Sequence, residues 1–162
     1  LGKPLRLWLV GDGPLRPWLN QQRVACQTDG VDLQLMGSVP NSDLPRLFGS
    51  AWLCMSPSKT IKKWAEQIGV VNFQSLACGT PVLSTRSGAI PEFLPEAGGG
   101  AVLVDEGDVP EMITVLKRYI TQPEFRQQLE REARSFALQH FDARKNVKHF
   151  EQVILRHAES NP

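Results

Sequence analysis

A glycine-containing loop with a polar side chain on either side is the stretch of this sequence best suited to chemistry. Glu66 precedes the loop, Gly69 stands where a helix is predicted to begin, and Gln74 follows inside that helix. A helix that opens at a glycine leaves backbone N–H groups pointing outward at the positive end of its dipole, which favours phosphate. A rise of about 1.5 Å per helical residue, plus the loop, separates the two polar side chains by roughly 10 Å. That span fits a nucleoside diphosphate held by a group at each end.

Strands that alternate with helices are predicted to position this loop. The predicted strands are residues 5–10, which should be buried, and 31–36, 51–55, 82–85 and 101–104. Helices are predicted at 14–28, at 41–48 and from about Gly69 to a stop at Gly79, followed by three helices after residue 108. Such alternation predicts a parallel α/β sheet, whose ligands bind at the carboxyl ends of the strands. The turns at those ends and the Glu66 loop should therefore share one edge.

Helix-capping patterns set several of the predicted helix starts. Asp108 and Thr121 each have a glutamate three residues later and a proline between, which is the spacing of a capping box. Asn41 can cap the short helix that is predicted to run to Phe48. The segment 87–92 is predicted to be a loop.

Composition limits the classes of function open to the chain. Its 162 residues suffice for one domain, and a formal charge of +1 gives no overall electrostatic case for nucleic acid or an anionic membrane. The three cysteines form no C-x-x-C pair, so neither a zinc site nor a disulfide framework is predicted, and a reducing cytosol is the expected compartment. No apolar run approaches the roughly 20 residues that a membrane-spanning helix needs. The first residue is not Met, so the sequence can be a fragment.

A second glycine-containing turn, after the first predicted strand, invites a dinucleotide-binding interpretation. Gly11 and Gly13 supply the first two glycines of that motif, but Arg16 occupies the third position. The acidic residue expected about 20 positions later is also not convincingly placed. We therefore reject NAD or FAD binding there and interpret the segment as a plain tight turn or as a turn typical of another protein family.

The central stretch resembles the E-x7-E signature of the group 1 retaining glycosyltransferases of GT-B fold. Ala77–Val82 matches that signature without change, Ile68–Val71 matches its F-G-L-V segment, and Glu66 matches its first glutamate. Gln74 replaces the second glutamate. The resemblance extends over about residues 5–151. It implies a Rossmann-like parallel sheet flanked by helices, with residues 1–162 forming the single, donor-binding C-terminal domain of such an enzyme and the N-terminal acceptor domain absent.

The resemblance also implies roles for individual residues. Glu66 would lie against the transferred sugar as the catalytic carboxylate, the Val70 and Val71 amides would contact the donor phosphates, and Gln74 would bind the ribose. The residues implied to bind the donor are Gly37, Ser38, Val39, Leu44, Ser58, Gln67, Ile68, Gly69, Val70, Val71 and Gln74. A basic cluster of Lys59, Lys62 and Lys63 precedes Glu66, and we interpret it as a solvated loop in preference to a phosphate contact.

The implied activity is transfer of a sugar, with retention, from a nucleotide-diphosphate sugar to an acceptor. A UDP-sugar is the favoured donor, and polysaccharide biosynthesis is the expected setting. The resemblance also implies that neither a metal nor a cofactor is needed, and the absence of a D-x-D motif fits this. The expected partners are the donor and the acceptor domain, without nucleic acid. The expected location is the cytoplasm, or the inner face of a membrane if parts of the protein outside this chain bind it. The chain alone is not expected to transfer sugar. Two alternatives stay open: a non-catalytic nucleotide-binding module, and an epimerase or phosphorylase relative of the same fold.

Overall fold

The computed structural model describes residues 5–95 and 97–160, with side chains described up to His157. It divides into two compact units, residues 1–44 and 45–162, which are described here one at a time. Both units are built from parallel strands with helices, so the predicted α/β fold class is confirmed. The sequence predicts one sheet, whereas the structure has one sheet in each unit, with two and three strands.

The first unit is a β–α–β element. Strands β1 (Leu5–Val10) and β2 (Val31–Gly37) run parallel with Leu5 opposite Val31, and helix α1 (Arg16–Thr28) connects them. The prediction that residues 5–10 form a buried strand is wrong in its burial, since Leu5, Leu7 and Val10 are all exposed. The reason is that α1 packs chiefly against β2, where Leu33 is buried, and leaves the side chains of β1 less covered.

The second unit contains a three-stranded parallel sheet in the order β3-β4-β5. Its elements are α2 (Leu44–Ser50, beginning at the last residue of the first unit), β3 (Cys54–Ser56), α3 (Val70–Ala77), β4 (Val82–Thr85), α4 (Ile90–Phe93), β5 (Ala101–Val104), α5 (Val109–Thr121), α6 (Pro123–His140) and α7 (Ala143–Ser160). Every residue of the central strand β4 is buried, because strands pair with it on both edges. Leu76 of α3 and Ala133 of α6 belong to the apolar core that packs around it.

The predicted helix ends are only partly right. Asp108 caps α5 as predicted, since its Oδ1 accepts a hydrogen bond of 2.9 Å from the Glu111 N–H. Thr121 is no cap, because it ends α5 and its hydroxyl donates to the Lys117 carbonyl at 2.7 Å. Asn41 lies in a turn three residues before α2 begins, so it does not cap that helix either.

The loop predicted at residues 87–92 contains the start of the short helix α4, which the sequence pattern did not indicate. No helix in the described ranges is both long enough and apolar enough to cross a bilayer.

Candidate functional site

Helix α3 begins at a glycine that no other residue could easily replace. Gly69 is the N-cap, with φ 65° and ψ 51° in the left-handed region. A Cβ atom at this position would lie 2.7 Å from Nδ2 of Asn72 and 3.4 Å from Cγ1 of Ile90. Both the backbone conformation and the lack of space therefore favour glycine. The predicted start of the central helix is confirmed.

The first turn of α3 leaves two backbone donors unused. The Gly69 N–H donates to Oε1 of Glu66 at 3.0 Å, and the Asn72 N–H donates to the Gly69 carbonyl at 2.8 Å. The N–H groups of Val70 and Val71 have no partner among the described residues, and these two residues are 56% and 40% exposed. Unpaired N–H groups at the positive end of a helix dipole form a site for an anion.

Glu66 has a structural role that the sequence interpretation missed. One carboxylate oxygen accepts from the Gly69 N–H at the start of α3, and its other oxygen lies 3.5 Å from the Ser58 hydroxyl. Its carbonyl oxygen accepts a hydrogen bond of 2.9 Å from the Ala89 N–H. No sequence signal indicates the bond to Gly69, because Gly69 is itself the N-cap and an acidic residue three positions before an N-cap is not a recognised capping pattern. The carboxylate is thereby fixed next to the unused donors of α3.

A buried polar cluster lies beneath the start of α3, at the carboxyl ends of two paired strands. Ser56 of β3 stands opposite Ser84 of β4, whose hydroxyl donates to the Ser56 carbonyl at 2.8 Å. The Ser56 hydroxyl donates to Oδ1 of Asn72, which is only 1% exposed. Nδ2 of Asn72 has no hydrogen-bond partner among the described residues. These three residues attach α3 to the carboxyl edge of the sheet. The sequence predicts that the strand ends at Ser56 and Ser84 lie at this edge with the Glu66 loop, whereas Asn72 was not predicted to take part.

A long loop, residues 57–68, connects β3 to the start of α3 and carries Ser58 and Glu66. Glu106, two residues after β5, holds it from the side: Oε2 accepts from the Thr60 N–H at 2.9 Å and Oε1 from the Thr60 hydroxyl at 2.6 Å. These bonds, the Thr60 hydroxyl first, lower the pKa of the Glu106 carboxyl below its ordinary value, helped by Ser87 and the charge of Lys59. The carboxylate therefore stays ionised at neutral pH and keeps accepting both bonds.

The structure brings one group of the predicted donor-binding residues together and leaves the other apart. The group in the second unit lies on the 57–68 loop and on α3: Ser58, Gln67, Ile68, Gly69, Val70, Val71 and Gln74. Gln74 is half-buried, and its side chain makes no hydrogen bond to any described residue. The others, Gly37, Ser38, Val39 and Leu44, belong to the first unit, so their place in the same site stays a prediction.

The remaining predicted features behave as ordinary structural residues. Lys59, Lys62 and Lys63 are all exposed, in line with their interpretation as a solvated loop. Cys54 packs against the apolar core, and burial raises the pKa of its thiol. No group of three or more His, Cys, Asp or Glu side chains within the described ranges is arranged to hold a metal ion.

Comparison with known proteins shows similarity in sequence. A family model described as glycosyl transferases group 1 matches residues 2–122. A D-inositol 3-phosphate glycosyltransferase of Thermobifida fusca is 32% identical over 120 residues, which cover 74% of this chain and 26% of that protein. The chain thus spans about a quarter of this curated relative.

Solved structures are similar over most of the chain. The crystal structure of Anabaena HepE in complex with UDP superimposes with a TM-score of 0.74 at 23% identity, covering 98% of this chain and 42% of that one. The C-terminal domain of a group 1 glycosyl transferase from Francisella tularensis, LpcC, gives a TM-score of 0.66 at 15% identity, covering 80% of this chain and 63% of that one. At these identities the likeness is one of fold.

Proposed function

This chain belongs to the group 1 glycosyltransferases, a family of transferases, and on that premise we propose that it binds the nucleotide-diphosphate sugar from which a sugar is transferred. The observation that carries the proposal is the pair of unused N–H groups of Val70 and Val71 at the start of α3. Two adjacent backbone donors at a helix N-terminus suit the oxygens of a diphosphate. Neither donor is needed for the internal bonding of the helix.

Gln74 is proposed to bind the ribose of the nucleotide. It lies four residues after Val70 in α3, and residues at that spacing share one face of a helix. Its side-chain amide has no partner among the described residues, so both its oxygen and its nitrogen are available to a ligand. An amide accepts from one hydroxyl and donates to another, which matches a pair of neighbouring ribose hydroxyls.

Glu66 is proposed to act at the transferred sugar. Its carboxylate is held 3.0 Å from the Gly69 nitrogen, next to the proposed diphosphate site. A sugar attached to the outer phosphate would therefore have a fixed negative charge beside it. In a retaining transfer without metal, such a charge would stabilise the positive charge that develops on the sugar ring in the transition state.

A UDP-sugar is the donor we favour, and the acceptor would be bound by a part of the protein outside this chain. The fold likeness to Anabaena HepE, a structure determined with UDP, supports the choice of base. Since transfer needs both substrates held together, we expect the 162-residue chain to bind the donor and to transfer nothing by itself. Polysaccharide synthesis in the cytoplasm or at the inner face of a membrane is the proposed setting, with no metal or cofactor required.

A second candidate is a nucleotide-binding module without catalytic activity. Gln74 is the observation in its favour, because the glycosyltransferase signature has a glutamate at that position and an amide gives up the stronger, charge-assisted bonds. The two candidates share the nucleotide site. They differ in whether Glu66 contributes to turnover.

Titration calorimetry of this chain with UDP, GDP and ADP tests the proposal. We expect one molecule of UDP to bind per chain, more tightly than GDP or ADP. Absence of binding for all three would contradict the proposed function. Where UDP binds, the complete protein is assayed for sugar transfer. Transfer that is lost in its Glu66→Gln variant identifies a glycosyltransferase. If neither protein transfers the sugar or hydrolyses the nucleotide-sugar, the chain is the non-catalytic module.

A further inference from the structure

The 57–68 loop carries the residues that face the proposed donor site, but it has little apolar burial to fix its shape. It contains a tight turn in which Ile61 and Trp64 exchange backbone hydrogen bonds of 2.8 and 3.0 Å. Across the loop, the Ser58 hydroxyl lies 3.5 Å from the Glu66 carboxylate. The side chains of Ile61 and Trp64 are both exposed. A loop that buries few apolar groups opens easily unless hydrogen bonds hold it.

Within the described residues, hydrogen bonds attach the loop at three places to the segments at or just after the carboxyl ends of β4 and β5. Near its beginning, the Thr85 hydroxyl donates to the Ser58 carbonyl, and near its end the Ala89 N–H donates to the Glu66 carbonyl at 2.9 Å. Among the described residues, the hydrogen bonds that hold its middle are those of Thr60, whose N–H and hydroxyl both donate to the Glu106 carboxylate. The buried Ser87 hydroxyl lies 3.1 Å from the Thr60 hydroxyl and completes this attachment.

We infer that Glu106 is a positioning residue for the donor site, acting through Thr60 on the loop that carries Ser58 and Glu66. The part of this inference that concerns nucleotide binding rests on the proposed function. Glu106 itself is an acceptor of loop hydrogen bonds with no free donor to offer a phosphate. Its effect on the ligand is therefore indirect.

The sign of the effect on affinity separates positioning from simple electrostatics. A carboxylate near the site repels an anionic ligand, so removing its charge would strengthen UDP binding if charge were all that mattered. Loss of the attachment at Thr60 would instead let the loop open and would weaken binding. Glu106→Ala removes both the charge and the attachment, and Thr60→Val removes the hydroxyl bond while it leaves every charge in place.

Two measurements on this chain test the inference, with Glu151→Ala as a matched control for loss of an exposed glutamate that has no described partner. The first is limited trypsin digestion without nucleotide, with cleavage at Lys59, Lys62 and Lys63 located by mass spectrometry. We expect Glu106→Ala to raise the rate at these three sites at least about threefold, as local opening becomes easier. Glu106→Gln, which keeps one acceptor oxygen, should be cleaved at a rate between those of the unmodified chain and Glu106→Ala.

The second measurement is UDP affinity by calorimetry. We expect Glu106→Ala and Thr60→Val to bind UDP about three- to tenfold more weakly than the unmodified chain.

Each outcome decides the matter. Unchanged cleavage in folded Glu106→Ala, or cleavage raised equally in Glu151→Ala, overturns the inference. Faster cleavage with unchanged or tighter UDP binding also overturns it, because the loop would then be attached without positioning the site. If Glu106→Ala does not fold, Thr60→Val decides by the same criteria. If the unmodified chain binds no nucleotide, the proposed function fails, and the cleavage rates alone judge whether Glu106 holds the loop.

Discussion

Gly88 and Glu66 are packed so closely that a Cβ atom on Gly88 would lie 2.0 Å from the carbonyl oxygen of Glu66. Gly88 also has φ 53°, which side chains rarely tolerate. We therefore expect Gly88→Ala to displace Glu66, lowering stability by about 2 kcal/mol or more from strain and overlap and weakening UDP binding. Thermal unfolding and calorimetry would measure the two effects.

Gly98→Ala is the matched control for that substitution. Gly98 has φ 79°, also left-handed, but a Cβ there would meet nothing within 4 Å. The Gly98→Ala variant should lose only roughly 1 kcal/mol of stability, the cost of a left-handed backbone conformation with a side chain, and should keep its affinity for UDP. Equal losses of stability and of UDP affinity in Gly88→Ala and Gly98→Ala would show that the close packing of Gly88 against Glu66 contributes to neither.

Glu66 should contribute to stability through the hydrogen bond that its carboxylate accepts at the start of α3. Glu66→Ala removes the acceptor of the Gly69 N–H and should cost about 1 kcal/mol of stability. Glu66→Gln keeps an acceptor oxygen at the same position and should be nearly neutral, while UDP affinity stays the same or rises because a negative charge has gone. Chemical denaturation of the two variants checks this. A Glu66→Gln protein as unstable as Glu66→Ala would contradict this role of the hydrogen bond.

The central helix was predictable because its signals lie within a few residues of one another. Gly69 starts α3 and Gly79, with φ 81°, follows its C-cap, as the sequence predicts. Bonds between distant residues were not predictable in this way. Thr60 and Glu106 are 46 positions apart, and nothing in either local pattern indicates that they meet.

Burial was the weakest part of the sequence-based interpretation. Apolar residues of β1 and the apolar face of α7, including Val147, Phe150 and Ile154, have the spacing of core positions. The named residues of α7 are exposed, and in β1 three apolar residues are exposed while Trp8 and Leu9 are only half-buried. Periodicity shows which side chains share a face but does not show what covers that face.

The pairing of the strands was also not predictable. Strand patterns predict parallel strands without fixing which strands pair, so the division into two sheets could not be predicted.

Gln74 should distinguish a ribonucleotide from a deoxyribonucleotide. Gln74→Leu removes the proposed bonds to the ribose, and the loss of about 1 kcal/mol for a neutral hydrogen bond corresponds to roughly fivefold weaker UDP binding. Binding of 2′-deoxy-UDP should weaken less, because one of those hydroxyls is already missing. Calorimetry with both nucleotides provides the test. Equal losses, or none, would show that Gln74 does not contact the ribose.

Glu106 should titrate below the ordinary glutamate value of about 4.3. The Thr60 hydroxyl, Ser87, the Thr60 N–H and the charge of Lys59 all lower its pKa. Since the folded-state pKa is depressed, its contribution to stability is complete above the unfolded-state value and is lost as the pH falls through the folded-state value. An NMR titration of the side-chain carboxyl would measure the pKa, and Thr60→Val should raise it. A value at or above the ordinary one would contradict the bonds to Thr60.

The backbone amides of Val70 and Val71 provide the most direct test of the account. An NMR titration of the isotope-labelled chain with UDP would follow every backbone amide during binding. We predict that the Val70 and Val71 amide signals shift the most at saturation, because their unused N–H groups take up the diphosphate. Saturable UDP binding that leaves these two signals unmoved would place the phosphates elsewhere and contradict the proposed site.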